Sequence, residues 1–279
     1  MPMPEPGSAL SIKLWQTSGI FHVSLNHIYS MKRIAIPLLF LGLLLSGFTW
    51  WQDGNSDGIF YASLNRAIHL GQYDGVISLQ EVKKHGNFGV GSEEKLGGEL
   101  VLLDGKAYKI PLSGKASQMP EQTRLAFAAV KFFKAEKTLT LPRAMSFKEL
   151  QTWLDSVRVK SAFAAIKVNG KFSPLTFHCY YPQEKPYKPT KEVPQKVFSP
   201  ASIEGTLVGF FTPASALVLN SPVYHFHFID KARSTGGHVD EGTVLQAQIE
   251  IDYADGLSVH LPPAALLQNI DLNQPLEQK

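Results

Sequence analysis

The sequence predicts an α/β chain of the α+β kind, with helices and strands mixed in its first half and almost nothing but strands in its second. Three observations predict it. Capping boxes at Ser78 with Glu81 and at Ser146 with Glu149 open helices in the first half. Asp104-Gly105, Asn169-Gly170 and Asp255-Gly256 each sit between apolar runs, as hairpin turns do. Beyond residue 160 the apolar segments are short or alternate with period two, as at 246–253.

In chain order, residues 1–30 show no periodicity and open with prolines, so they are expected to be an extension outside the native domain. Met31-Lys32-Arg33 and the apolar run 34–45 then have the form of an export signal. Carried through Trp50 and Trp51, the run approaches the roughly 18 to 20 residues of a membrane span. Residues 31–52 are therefore expected to be a signal peptide or an N-terminal anchor, and the protein periplasmic or extracellular. No cysteine there suggests a lipoprotein.

Phe60, Leu64, Ala67 and Ile68 have helical spacing, which predicts a helix over 59–70 capped by Asp57. Ser78 opens a second, short helix that ends before Gly86. The glycine-rich run 85–91 lacks the Lys-Ser/Thr of a phosphate loop, so nucleotide binding is excluded and tight turning is expected of its glycines. Glu99 follows Gly97-Gly98 and begins a strand over 100–103, which Asp104-Gly105 turns into 107–110. A carboxylate there is either a solvated edge residue or, since glycine admits close approach, a group available to a ligand.

Residues 126–133 read as a buried strand, and Ser146 caps a helix with Phe147, Leu150, Leu154 and Val157 on one face. A strand over 161–168 is expected to turn back at Asn169-Gly170. The proline-punctuated stretch 183–189 cannot be regular structure. A strand over 205–211 stops at Thr212-Pro213, and one over 246–253 is expected to turn at Asp255-Gly256 and return over 257–261.

The chemistry is concentrated at Tyr224-His225-Phe226-His227-Phe228. On a strand, His225 and His227 share one face while Phe226 and Phe228 point into a core. The turn-rich run that follows, with Gly236-Gly237, can fold back and bring His238 beside them. Three neutral nitrogens on a rigid strand pair leave one position of a tetrahedral zinc ion open, as in catalytic sites. The plainer reading of a strand histidine is a surface or satisfied core residue. Asp230 should face away from His227 and reads as a turn residue or an acceptor behind the ligands.

With 279 residues and 44% hydrophobic content the chain can bury one large core or two modest ones. A net charge of +3 with no basic run excludes nucleic acid as the expected partner. Cys179 is the lone cysteine, so there is no intrachain disulfide, and nothing near it suggests an activated thiolate.

Residues 85–91, Gly98-Glu99-Leu100, 183–187, 205–210 with Thr212-Pro213-Ala214, and 224–228 with Gly236-Gly237-His238-Val239 together resemble the α-acetolactate decarboxylase family, in order from about residue 59 to 261. The resemblance implies a mixed-sheet domain, placed at 53–160, a smaller, mostly antiparallel β domain at 161–279 that carries the metal site, and a homodimer. It implies zinc-dependent conversion of 2-acetolactate, a small 2-hydroxy-3-keto acid, to acetoin and CO2 through a metal-stabilised enediolate. On the matching positions, it assigns zinc to His225, His227 and His238 and the active-site glutamate to Glu99, a general acid towards the enediolate. The family's C-terminal glutamate could fall on Glu277.

Where the family carries an arginine taken to hold the substrate carboxylate, the run Ala165-Ile166-Lys167-Val168-Asn169-Gly170 offers Lys167, which keeps the charge but not the bidentate fork. Asn87 and Gly97 stand where acidic residues are usual. Two other readings remain: a cupin-like metal oxygenase, which shares His-x-His on a strand, and an exported metal- or ligand-binding β-protein with the fold but little activity.

Overall fold

A computed structural model describes residues 57–221 and 223–274. The expected extension at 1–30, the signal or anchor at 31–52 and Glu277 lie outside the described residues. Asp53–Lys279 forms one compact unit.

The chain begins with β1 (Gly58–Ala62) and a one-turn helix α1 (Asn65–His69), then β2 (Ile77–Ser78) and α2 (Leu79–Val82). Next come β3 (Phe88–Glu93), β4 (Glu99–Leu103), β5 (Lys106–Ile110), β6 (Ser117–Gln118) and β7 (Arg124–Lys131). After β8 (Lys137–Thr140) and β9 (Met145–Ser146) runs α3 (Phe147–Val157). The rest is β10 (Ala164–Tyr180), β11 (Gln195–Phe198), β12 (Ile203–Thr212), β13 (Val223–Asp230), β14 (Gly236–Tyr253) and β15 (Gly256–His260).

Among the described residues these strands make two sheets. The first has the order β15-β1-β7-β3-β4-β5-β6, with β2 added on β7. In the second, β10, β12, β13 and β14 pair in a closed cycle, with β11, β8 and β9 on its margins. Strand accounts for 47% of the structure and helix for 15%, so the expected mixture of helices and strands is present but mostly β, and the expected share of helix is corrected.

Three local differences produce that correction. Ile59, Phe60 and Tyr61 form a central strand between β7 and β15, leaving only five residues of the expected 59–70 helix. Burial on both faces, which β-branched and aromatic side chains suit, outweighs the helical spacing of four apolar positions. Asn169-Gly170 does not turn: β10 runs straight through it for 17 residues, paired with β12 on one edge and β14 on the other. A Cβ at Gly170 would lie 2.3 Å from the Gln246 carbonyl oxygen, so the glycine serves close strand approach. The same holds at Gly89 in β3, where a Cβ would meet the Ala129 carbonyl at 2.3 Å; from Phe88 onward the glycine-rich run is a strand, not a set of turns.

The third difference is at the C-terminus. β15 does not return along β14 but crosses to the first sheet and pairs parallel to β1. Conversely β8 and β9 join the second sheet, and Leu150 and Leu154 of α3 pack on its core, although all three elements precede residue 160. The two sheets thus exchange chain segments.

Other features follow their sequence signals. Ser146 and Glu149 form a reciprocal capping box at α3, and the Ser78 hydroxyl accepts from the Glu81 N–H at α2. Asp104 and Gly105 take positive φ in the β4–β5 turn.

Three cores result. Ile166, Phe172, Phe226, Phe228 and Ile249 fill the interior of the second sheet, closed by α3. Ile59, Val90, Val101 and Phe127 of the first sheet pack on Val208, Phe210 and Ile229 of the second. The remaining face of the first sheet, with Phe60, Leu100, Leu102 and Leu125, is covered by Leu79 and Val82 of α2. Each such side chain, fully buried, contributes about 1.5–3 kcal/mol. Lys131 of β7 is fully buried and reaches across to Asp252 of β14 at 2.8 Å, and it also pairs with Asp57.

Candidate metal centre

Alternation along β13 builds the centre. Phe226 and Phe228 point into the second sheet's core, and His225 and His227 point out of it toward the first sheet. β14 returns antiparallel with His238 directly opposite His227. One nitrogen from each of His225, His227 and His238 falls in a group whose members all lie within 4.8 Å of one another. Asp230 closes the intervening turn, its carboxylate accepting from the Ser234 N–H and hydroxyl and the Thr235 N–H.

The far nitrogens of the first two rings are committed. His227 Nδ1–H donates to the Leu100 carbonyl at 2.8 Å, and His225 Nδ1–H donates to Asn220 Oδ1 at 2.6 Å. The Ser221 N–H also donates to that Asn220 oxygen, which fixes the orientation of the amide. Both Nε2 atoms therefore present lone pairs, and they stand 3.2 Å apart. Two lone pairs that close repel unless a cation lies between them. With zinc–nitrogen bonds of about 2.0–2.1 Å, two ligands of a tetrahedral zinc are about 3.3 Å apart, so the donor set fits such an ion. Burial, reinforced by the neighbouring imidazoles, holds His225 and His238 well below the usual histidine range; burial takes His227 down to about 4 against the hydrogen bond to Leu100. All three imidazoles are therefore neutral at pH 7, the form in which a histidine can bind a metal.

Glu99 opens β4 on the face that also carries Val101 and Leu103 toward the second sheet. Its Oε2 lies 3.5 Å from His227 Nε2, and burial, with the charge of Asp240 adding to it, pushes the carboxyl up to about 8. A cavity of about 50 Å³ adjoins the triad and Glu99, with walls including Asn65, Ser92, Phe127, Tyr180, Thr190 and Ser221. Phe127 lies roughly parallel to the His225 ring at 6.4 Å.

Lys167 is not brought to this place. It stands opposite Val208 and Glu250, pairs with Glu250 at 2.6 Å, lies over the Phe133 ring and borders a separate surface depression with Asp104, Lys231 and Arg233. Cys179 is buried with its thiol pushed up by that burial, which agrees with an inert thiol. A second carboxylate cluster, Asp57, Glu136 and Asp252, has the Lys131 ammonium bonded to two of its three members.

Sequence reasoning missed Asn220, His178, Tyr180 and Asp240. His178 lies directly opposite His238 on β10, its ring 4.8 Å from that of His238, with Nδ1 2.8 and 2.9 Å from the two Asp240 oxygens. Register shifts between Lys171 and Phe177 change which face the later β10 residues occupy, so counting alternate positions from Lys167 puts His178 on the wrong side. Asp240 was open to discovery as the residue two beyond His238.

The sequence profile of the alpha-acetolactate decarboxylase family matches residues 59–274. Alpha-acetolactate decarboxylase of Methanosarcina mazei is 35% identical over 80% of this chain and 78% of its own length, and that of Brevibacillus brevis is 33% identical over 77% and 76%. The crystal structure of the Bacillus subtilis strain 168 enzyme superposes with a TM-score of 0.75 at 32% identity, covering 78% of this chain and 94% of that one. The chain belongs to the alpha-acetolactate decarboxylase family.

Proposed function

We propose that the protein decarboxylates 2-acetolactate to acetoin, using a zinc ion held by His225, His227 and His238. The observation that carries this reading is the pair of opposed Nε2 lone pairs at 3.2 Å, beside a buried carboxyl, in a member of this family. Relatives are named for this activity, and family membership removes the support for a cupin-like oxygenase.

A zinc ion held by His225, His227 and His238 would supply Lewis-acid charge, the electron sink that the reaction requires. The bond from the carboxylate carbon to C2 breaks, its electron pair passes toward the adjacent ketone, and neutral CO2 leaves. Glu99, a buried carboxyl beside His227, delivers a proton to C2 and so completes acetoin. Phe127 lines that cavity beside the His225 ring and gives it one apolar wall.

The test is acetoin formation from racemic acetolactate by the full chain, before and after chelation and after zinc is restored. Chelator-sensitive, zinc-restored acetoin supports the reading. A zinc-loaded, folded protein that forms no acetoin refutes it and leaves a metal-binding β-protein.

A further inference from the structure

We propose that Asn65, Thr190 and Ser221, joined through His69, form a subsite for a neutral hydroxyl, so that the preferred substrates carry a hydroxymethyl group where 2-acetolactate has a methyl. The inference rests on the decarboxylase reading of the site and extends its substrate class. The hydroxyl and ketone of acetolactate belong to its reacting centre, and apart from the carboxylate the rest of the molecule is two methyl groups. The cavity is more polar than two methyls require. Ile68 and Phe127 give it apolar surface, but α1, the turn at Thr190–Glu192 and the β12–β13 connection contribute Asn65, His69, Thr190 and Ser221.

Those four side chains are linked. Thr190 Oγ1 lies 3.0 Å from His69 Nδ1, Ser221 Oγ lies 3.5 Å from His69 Nε2, and the Ser221 hydroxyl donates to Asn65 Oδ1 at 3.0 Å. Ser221 is also tied to the triad, since its N–H and His225 Nδ1–H share the Asn220 oxygen. With its proton committed to Asn65, the Ser221 oxygen keeps acceptor capacity, and the Thr190 oxygen has two lone pairs of its own. Asn65 is 5% exposed, its oxygen is taken by Ser221, and its Nδ2 group has no acceptor among the described residues. In so enclosed a place a donor gains free energy from a ligand oxygen that meets it. One hydroxyl serves both sides, accepting from Asn65 Nδ2 and donating to the Ser221 or Thr190 oxygen. A neutral group suits the wall: among the described residues no lysine or arginine lines the cavity, and Glu99 is its one acid. A hydroxymethyl and an ethyl group are nearly the same size. A hydrogen-bonding wall rejects the ethyl group because its own polar atoms are then left unpaired. The reaction is otherwise unchanged: the bond from the carboxylate carbon to C2 breaks, CO2 leaves and C2 gains a proton, leaving a dihydroxybutanone.

The experiment is calorimetric titration of the zinc-loaded full chain with 2,3-dihydroxy acids, which have no ketone and cannot decarboxylate. Each methyl of 2,3-dihydroxy-2-methylbutanoate is replaced in turn by hydroxymethyl and by ethyl. At one of the two positions the hydroxymethyl acid is expected to bind about ten-fold or more tighter than its ethyl counterpart, the range of one or two hydrogen bonds. Ser221→Ala and Thr190→Val are expected to bring that ratio toward one while leaving the affinity of the ethyl acid nearly unchanged; a merely structural role would weaken both acids alike. Zinc content and thermal midpoint of each variant are measured alongside. Equal affinity for hydroxymethyl and ethyl acids at both positions, or a ratio that survives in both variants, overturns the proposal. Should Ser221→Ala not fold, Thr190→Val carries the same comparison. A wild type that makes acetoin from acetolactate yet binds the hydroxymethyl and ethyl acids equally sinks this inference alone. A wild type that holds zinc, makes no acetoin and binds none of the acids sinks the decarboxylase reading with it.

Discussion

His225 and His227 face each other through Nε2 atoms 3.2 Å apart, each ring turned to that position by an acceptor behind it. For His227 the acceptor is the Leu100 carbonyl in the first sheet, so a candidate ligand on the second sheet is oriented by the first. For His225 it is a side chain, Asn220, and that can be tested. Asn220→Ala removes the acceptor and is expected to lower zinc affinity by about 10- to 100-fold, as is usual for such partners. Competition with a chromophoric chelator measures it; unchanged affinity would show that the ring is held by packing alone.

Lys167 gives the opposite expectation. Its ammonium pairs with Glu250, both side chains are partly exposed, and neither borders the cavity beside the triad. Lys167→Met is expected to change stability by less than about 1 kcal/mol, the range of such pairs. Lys167→Arg is expected to leave kcat/KM for acetolactate essentially as it was. A large rise in kcat/KM with Lys167→Arg would return this position to the substrate.

The convergence of the three histidines was legible because alternation and a glycine-rich return are local signals, and Tyr224 to Phe228 and Gly236-Gly237-His238 carry both. Glu99 was legible as a candidate through its glycines, and its position beside His227 needed the pairing of two sheets far apart in sequence. The failures share a cause. Asn169-Gly170 has the composition of a turn, but ladders on both edges of β10 hold it extended, and those partners are dozens of residues away. The register shifts that follow hid His178, and the crossing of β15 to β1 is set by a strand at the other end of the domain. Long-range pairing overrode local preference at each of these positions.

The capping box at α3 gives a pH prediction away from the metal. Hydrogen bonds from the Ser146 backbone N–H and hydroxyl, with the Arg143 guanidinium beside them, hold Glu149 down at about 2. A carboxyl depressed in the folded state contributes stability that is full above its unfolded pKa, near 4.5, and fades as pH falls toward 2. The stability difference between wild type and Glu149→Gln is therefore expected to be constant from pH 8 to about 5.5 and to narrow below about 4.5. Urea unfolding at a series of pH values measures it, and a difference that widens in acid would contradict the cap.

Glu99 separates proton delivery from metal binding. Its carboxyl lies near His227 Nε2 yet is not among the converging nitrogen donors, and its surround favours the protonated form. Glu99→Gln keeps the shape and a hydrogen-bond donor but cannot give up a proton. It is expected to keep full zinc content and lower kcat by about 10²- to 10⁴-fold, the usual worth of a general acid. KM should move little, since the proton is transferred after binding. A solvent deuterium isotope effect on kcat that persists unchanged in Glu99→Gln, with kcat near wild type, would show that the proton comes from elsewhere. Loss of zinc in this variant would instead make Glu99 a ligand, and the fourth position that the three histidines leave open would then be filled by the protein itself.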